Sequence, residues 1–389
     1  MNKLALSLVF ILAGSSFVAY SFLDTFIIPK NTRAVSFNDD DFWGEMSSSS
    51  VLPISTSSSE SKPNSSINPS SSEPITTSNE PISSAPINSS NISINEYYEN
   101  LTSEQIAALF TNEAVFREYE HYSDPDIYID ITTHRDEADT TYYYVADVRI
   151  KNLRYFKTAL ANDTFGENVS QRTSDQCKSH HGILAISGDN YGAQEAGYVL
   201  RNGQVLRTTK SSSNLGSNPR KLAEDLAIYR DGTFEIFDEK TTDLQTIADK
   251  GAWQVFSFGP GLVKNGELAV TEDSEVDSIL KNGASTKCQR MSVGIIAPLH
   301  YCFVVCDGRS TESAGFSLFE MAKIMKDLHC YQAYNLDGGG SATMYLDDGT
   351  GNANKLGHLI NKPNQNYYNA GSPNPQQRGV SDIVYIGKE

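Results

Sequence analysis

The stretch 301-YCFVVCDGRSTESAGFSLFEMAKIMKDLHCYQAYNLDGGGSATMY-345 decides how the fold is read. Its middle, 317-SLFEMAKIMKDLHC-330, has the period of an amphipathic helix. Leu318, Met321, Ala322, Met325 and Leu328 fall on one apolar stripe. Ser317 and Glu320 have capping-box spacing, and Phe316 stands where it can staple onto Met321. An apolar run precedes this helix in YCFVVCDGR, and another follows it in YQAYNLDGGG. Strand, helix, strand reads as a right-handed parallel crossover, and therefore as part of a mixed sheet. Both strands end in aspartate and glycine. The carboxyl ends of neighbouring parallel strands form a crevice suited to ligands.

Outward from this unit the chain is rich in hairpin signals. In 126-DIYIDIT-132, Ile127, Ile129 and Ile131 share a face. In 142-YYYVADVRI-150, Tyr144, Ala146, Val148 and Ile150 do the same. The charged segment 134-HRDEADT-140 between them predicts an antiparallel hairpin. The Asn-Gly of 197-GYVLRNGQVLRTT-209 and the Asp-Gly of 226-LAIYRDGTFEIFD-238 each sit between short alternating runs and predict two more. The segment 181-HGILAISGDNYG-192 reads as an apolar strand entering a glycine-bounded turn. Thr102 and Gln105 are spaced as a capping box for a short helix. The expected class is α+β: a mixed β-sheet with several hairpins and flanking helices, in which the strand–helix–strand crossover carries the site.

The N-terminus predicts three parts. Residues 1–28 contain an uncharged, mostly apolar run from Leu4 to Leu23 behind Lys3, and about 20 such residues span a bilayer. An uncleaved signal anchor is expected, with a cleaved signal peptide as the alternative. Residues 29–95, dominated by Ser, Pro and Asn from Met46 to Ile94, read as a disordered linker. As a flexible tether of about 50 residues it would reach roughly 40 Å. Residues 96–389 form the folded domain, placed outside the cytoplasm and held at the cell membrane by the N-terminal segment, or secreted if that segment is removed. A net charge of −17 argues against nucleic acid as a partner.

Five cysteines, at 177, 288, 302, 306 and 330, form no C-x-x-C pair. Cys302 and Cys306 lie roughly 13 Å apart along a strand, beyond disulfide reach. One other pairing remains open, and the odd count leaves a free thiol; small buried hydrophobes is the plainer reading. The histidines lack zinc-ligand spacing. No cofactor and no metal ligand set is expected, with a structural divalent cation at an Asp-rich loop left open.

Three glycines at the tip of a strand let a substrate approach main-chain N–H groups with no Cβ in the way. Several such groups make an anion nest. Ser341 and Thr343 add hydroxyls, Asp337 is the adjacent carboxylate, and Arg290 and Arg309 are candidate forks for a bidentate oxyanion. A turn is the plain alternative for each Asp-Gly, and surface cations for the arginines. No G-x-x-x-x-G-K-[ST] is present, so a nucleotide P-loop is excluded. From these residues alone the reading is an anion-binding domain with its function open.

The segment FVVCDGRSTESAGFSLFEMAKIMKDLHCYQAYNLDGGGSATMYL resembles the core of the phosphodiester glycosidase family. This family includes an enzyme that removes N-acetylglucosamine from a sugar phosphodiester, and bacterial members tied to exopolysaccharide. AISGDNYG, GYVLRNG, FSFGPGLVKNGE, QRMSVGI and RGVSDIVYI follow the family order, so the resemblance covers about residues 120–389. It departs at Ser187, where the family more often has Asn, and at Gln289 and Met291, where it more often has Pro and Thr. The resemblance implies an extracytoplasmic hydrolase that cleaves the sugar–phosphate bond of sugar-1-phosphodiesters in surface glycans or exopolysaccharide. It points to Asp337, Asp307 and Asp189 as catalytic candidates. Arg290, Arg309, Gly338, Gly339, Gly340, Ser341 and Thr343 are the substrate-binding candidates. The phosphomonoester leaving group, with a second pKa near 6, departs with little acid assistance. Arginines and N–H donors would stabilise its charge, and a carboxylate would direct water or a nucleophile to an oxocarbenium-like carbon. Two other readings stand beside this one: a non-catalytic glycan-binding or polymer-organising module, and a phosphodiesterase cutting the P–O bond.

Overall fold

The computed structural model describes residues 28–38, 42–43, 101–211, 224–271, 285–352, 357–363 and 377–388. The expected N-terminal anchor, the Ser-rich stretch 46–94 and the Tyr367–Tyr368 pair lie outside them. No helix among the described residues is long and apolar enough to cross a membrane.

The largest sheet runs in the order Glu267–Leu268, Gly261–Lys264, Gln332–Leu336, Met291–Ala297, His300–Cys306, Thr141–Ile150, Ile127–Asp136, His121–Ser123, Val115–Arg117. Within its 300–306 strand, residues 301–306 are apolar without a break because both faces are covered. Tyr301, Phe303 and Val305 enter the main core, while Cys302, Val304 and Cys306 face the helix Leu318–Asp327. That helix is capped as expected, with the Ser317 hydroxyl and the Glu320 carboxylate each accepting from the other's backbone N–H. Leu318, Met321, Ala322, Met325 and Leu328 are all buried on the sheet. The capping box at Thr102 and Gln105 is also present.

On the other face lie two further sheets. One orders His358–Leu359, Met344–Leu346, Leu184–Ser187, Asp382–Ile386 and Phe156–Leu160. The other orders Gln204–Arg207, Val199–Arg201, Ala252–Phe256, Glu224–Tyr229 and Phe234–Asp238. Ile129, Val293, Ile186, Val384, Leu226 and Trp253 belong to one core shared by all three sheets. The fold is thus β-rich, with few helices.

The three expected hairpins form. Ile129 pairs with Val148 and Ile131 with Ala146 in the first. Asn202 and Gly203 both take left-handed conformations at the tip of the second. In the third, Gly232 (φ +83°) closes the turn between Tyr229 and Thr233.

Two expectations are corrected. The sheet is not mixed, because every strand pairing among the described residues is antiparallel. The two strands of the crossover do run parallel. However, the 291–297 strand lies between them and pairs with both, Met291 opposite Val305 on one side and Leu336 on the other. The helix therefore spans a gap of one strand, and sequence adjacency gives no sign of the insertion. The second correction concerns residues 29–38 and 42–43, read as the start of a linker. Lys30–Ala34 is a strand paired with Thr164–Glu167. Val35 and Phe37 pack beside Tyr191 and Leu206, and the Phe42 and Trp43 rings lie tilted against buried Trp253. Gly203 makes room for the Phe42 ring, and the Arg230 guanidinium lies 3.8 Å from its centroid. Apolar side chains scattered among polar ones carry no periodicity, so this docking is invisible before the Trp253 surface exists.

Candidate active site

The central strand 291–297 explains how the two aspartate tips meet. It runs antiparallel to both neighbours, so its start lies between their ends. Neighbouring strands are about 4.8 Å apart, which sets the tips after Cys306 and Leu336 roughly 10 Å apart. Both close on the backbone of Gln289. The Gly339 N–H donates to the Gln289 carbonyl at 2.8 Å. A Cβ at Gly338 would stand 2.8 Å from that same oxygen, and a Cβ at Gly308 would stand 2.5 Å from the Gln289 nitrogen. The glycines after each aspartate are there for close approach of backbone to backbone.

Gly339 takes φ +59°, and the exposed Arg309 guanidinium lies beside it, in ordinary contact distance at 3.4 Å from where a Cβ would be. Arg309, also left-handed at φ +55°, is anchored by its N–H to the Ala314 carbonyl. The DGR arginine and the glycine run therefore come together.

Asp337 is buried at this junction. Its N–H donates to the Gly188 carbonyl and its own carbonyl accepts from the Ser187 hydroxyl, while the nearby Ser341 side chain and Gly338 backbone favour the charged form of its carboxylate. Oδ2 has no partner within the protein, and neither have the buried Gln289 Oε1 and Thr343 Oγ1. Unpartnered buried polar atoms in a native fold call for a water or a ligand. Burial raises the Asp337 carboxyl to about 6, against the pull of Ser341 and Arg378.

Asp307 sits at the other tip. Its carboxylate accepts from the Lys362 N–H at 2.6 Å and the Tyr144 hydroxyl at 3.2 Å, and burial raises it to about 6. Beside it opens a cavity of about 560 Å³ floored by the end of the first hairpin. The face that carries Ile127, Ile129, Ile131, Val148 and Ala146 continues as Thr133, Arg135, Tyr144 and Tyr142. Alternation persists while the chemistry changes from core to polar and aromatic lining.

Asp189, Arg290 and the N–H groups of the glycine run are differently placed. Asp189 is engaged inside the fold: it accepts from the Arg201 guanidinium at 2.7 Å and from the N–H groups of Tyr191 and Ser257. Arg201 is fully buried and also pairs with Asp382 at 2.9 Å. Burial and the neighbouring Asp189 charge push the Asp382 carboxyl up. Arg290 donates from Nε to the Phe316 carbonyl and from a terminal nitrogen to Thr286, so it braces the loop and the helix entry. The anion nest is largely closed as well. Gly339, Ser341 and Ala342 direct their N–H groups to Gln289, Gly338 and Gly339 carbonyls. Gly340 and Thr343 are buried in the same turn.

Arg201, Arg378 and the hairpin floor escaped the sequence reading. Arg201 alone had a signal there, as a cation on an inward-facing position of an apolar hairpin. No group of three or more potential metal ligands occurs among the described residues.

The phosphodiester glycosidase profile matches residues 180–386, a span that takes in the strand tips, the glycine run and the Asp189–Arg201–Asp382 cluster. The chain belongs to the phosphodiester glycosidase family. An uncharacterised prophage-derived protein of Bacillus subtilis, YomE, is 24% identical over 180 residues, which is 46% of this chain and 26% of that protein. The mouse N-acetylglucosamine-1-phosphodiester alpha-N-acetylglucosaminidase is 28% identical over 172 residues, 40% of this chain and 31% of the enzyme. The human enzyme is 29% identical over 167 residues, 40% of this chain and 32% of its own length. The matches thus cover about a quarter to a third of these relatives. The catalytic domain of the zebrafish enzyme, auto-inhibited by its pro-peptide, is similar over 71% of this chain and 88% of its own, at 20% identity and a TM-score of 0.49.

Proposed function

We propose that this phosphodiester glycosidase family member is an active hydrolase. It would cleave the bond between a sugar's anomeric carbon and a phosphodiester oxygen, acting outside the cytoplasm on surface glycans or exopolysaccharide. The observation that carries the reading is the buried Asp337 carboxylate, with one oxygen unpartnered, at the tip joined through Gln289 to the one bearing the exposed Arg309. A buried carboxylate oxygen without a partner costs stability, and such a cost is typical of sites that serve a reaction or hold a ligand. Arg309 would bind the phosphate and stabilise its growing charge. Asp337 would direct water or act as the nucleophile at the oxocarbenium-like carbon. Asp307 is the second carboxylate, facing the cavity where the other half of the diester would lie. Asp189 and Arg290 would hold the frame.

The test is incubation of the full chain, and of its Asp337→Asn variant, with a panel of sugar-1-phosphodiesters. Free sugar and phosphomonoester from the wild type alone support the reading. Sugar phosphate and alcohol identify a P–O phosphodiesterase. Binding without turnover across the panel identifies a glycan-binding module.

A further inference from the structure

On the helix-facing side of the largest sheet, far along the strands from Asp307 and Asp337, two cysteine side chains meet. Cys302 and Cys330 place their sulfur atoms 3.2 Å apart, both almost fully buried and 28 residues apart in sequence. The strand between them would ordinarily hold them apart. At the crossing point that strand carries Gly294, which is opposite Cys302 in register. A Cβ at 294 would stand 2.6 Å from the Cys330 sulfur and 3.3 Å from the Cys302 sulfur. The missing side chain is what lets the two thiols meet across the middle strand.

The other thiols do not do this. Cys177 points its sulfur at the Gly182 carbonyl at 3.3 Å, and Cys306 at the Cys288 carbonyl at 3.5 Å. Among the described residues, no other pair of sulfurs is within hydrogen-bond distance.

We propose that Cys302 and Cys330 are a disulfide site, closed when the chain folds in the presence of a disulfide-bearing oxidant. The bond would tie the two strands that end at Asp307 and Asp337 together at their opposite ends. A disulfide sets the sulfurs about 2.05 Å apart, so closure asks for a movement of about 1 Å. One cysteine thiolate attacks the oxidant disulfide, releasing one thiol and forming a mixed disulfide. The second cysteine thiolate attacks that bond, releasing a second thiol. Two cysteine thiols lose two protons and two electrons, and the oxidant becomes two thiols. In the folded, reduced protein the Cys330 contact and burial push the Cys302 thiol well up, so little thiolate is present to react. Closure therefore belongs to folding, before the helix covers the pair. This inference is independent of the proposed activity.

The full chain is unfolded, reduced and refolded with a reduced and oxidised glutathione pair. Free thiols are then alkylated and the peptides mapped by mass. The expected result is one cross-linked pair containing Cys302 and Cys330, lighter by two hydrogens than the separate peptides. Cys177, Cys288 and Cys306 should be alkylated. Melting should fall by several degrees on reduction, and this shift should vanish in Cys302→Ala and in Cys330→Ala. Export of the chain to an oxidising compartment gives a second readout with the same outcomes. Alkylation of both Cys302 and Cys330 in oxidised, folded material would overturn the proposal, as would pairing of either with another cysteine.

Discussion

Asp337→Asn separates a reactive carboxylate from a structural one. Burial raises this carboxyl from an ordinary 3.8 to about 6. Each pKa unit is about 1.4 kcal/mol, so keeping the group ionised in the fold costs about 3 kcal/mol. The sign follows from linkage. Between about pH 4 and 6 the folded state binds more protons than the unfolded one, so this group's contribution to stability falls as pH rises. Its cost is absent below about pH 4 and complete above about pH 7. Asparagine is never ionised, keeps an oxygen near Ser341 and Gly338, and gives up the attraction to Arg378. The variant should therefore match the wild type in melting temperature at pH 4 and exceed it by a few degrees at pH 8, while turnover of a sugar-1-phosphodiester drops to background. Paired scanning calorimetry and product analysis at both pH values make the comparison. A variant less stable than wild type at pH 8 would refute the reasoning, because it would show that the fold relies on the Asp337 charge.

Four other outcomes follow from the geometry. Arg309→Lys keeps a charge but loses the planar fork over Gly339, so kcat/KM should fall about tenfold to a hundredfold at unchanged melting temperature; an unchanged rate would remove Arg309 from the site. Arg201→Leu leaves Asp189 and Asp382 facing each other without a cation, and should destabilise by about 3–5 kcal/mol in chemical denaturation; a change below about 1 kcal/mol would show the cluster to be solvated. Trp43→Ala uncovers Trp253 and should lower stability by about 2 kcal/mol; an unchanged denaturation midpoint would show that residues 42–43 do not pack there in solution. Wild-type kcat/KM should rise with pH through about 6 as Asp337 ionises, and a flat profile from pH 5 to 8 would count against its role as base or nucleophile.

Local pattern determined the capped helix, its apolar stripe, the three hairpins and the Asp-Gly tips. Each rests on a periodicity or a turn chemistry contained within a dozen residues, and the order of the family motifs rests on residue identity alone. What the pattern left open was which strand lies beside which. Placing 291–297 between the crossover strands turned an expected mixed sheet into an antiparallel one, and joined the tips through the Gln289 backbone. Roles changed with it. Asp189, Asp307 and Asp337 look alike in sequence, yet a buried arginine engages the first, a tyrosine and a backbone N–H the second, and the third keeps an unpartnered oxygen. A carboxylate's chemistry depends on its burial and its partners, and those come from segments far apart in the chain. For the same reason Phe42 and Trp43 are part of the folded domain, because the surface they cover exists only once the hairpins around Trp253 have assembled.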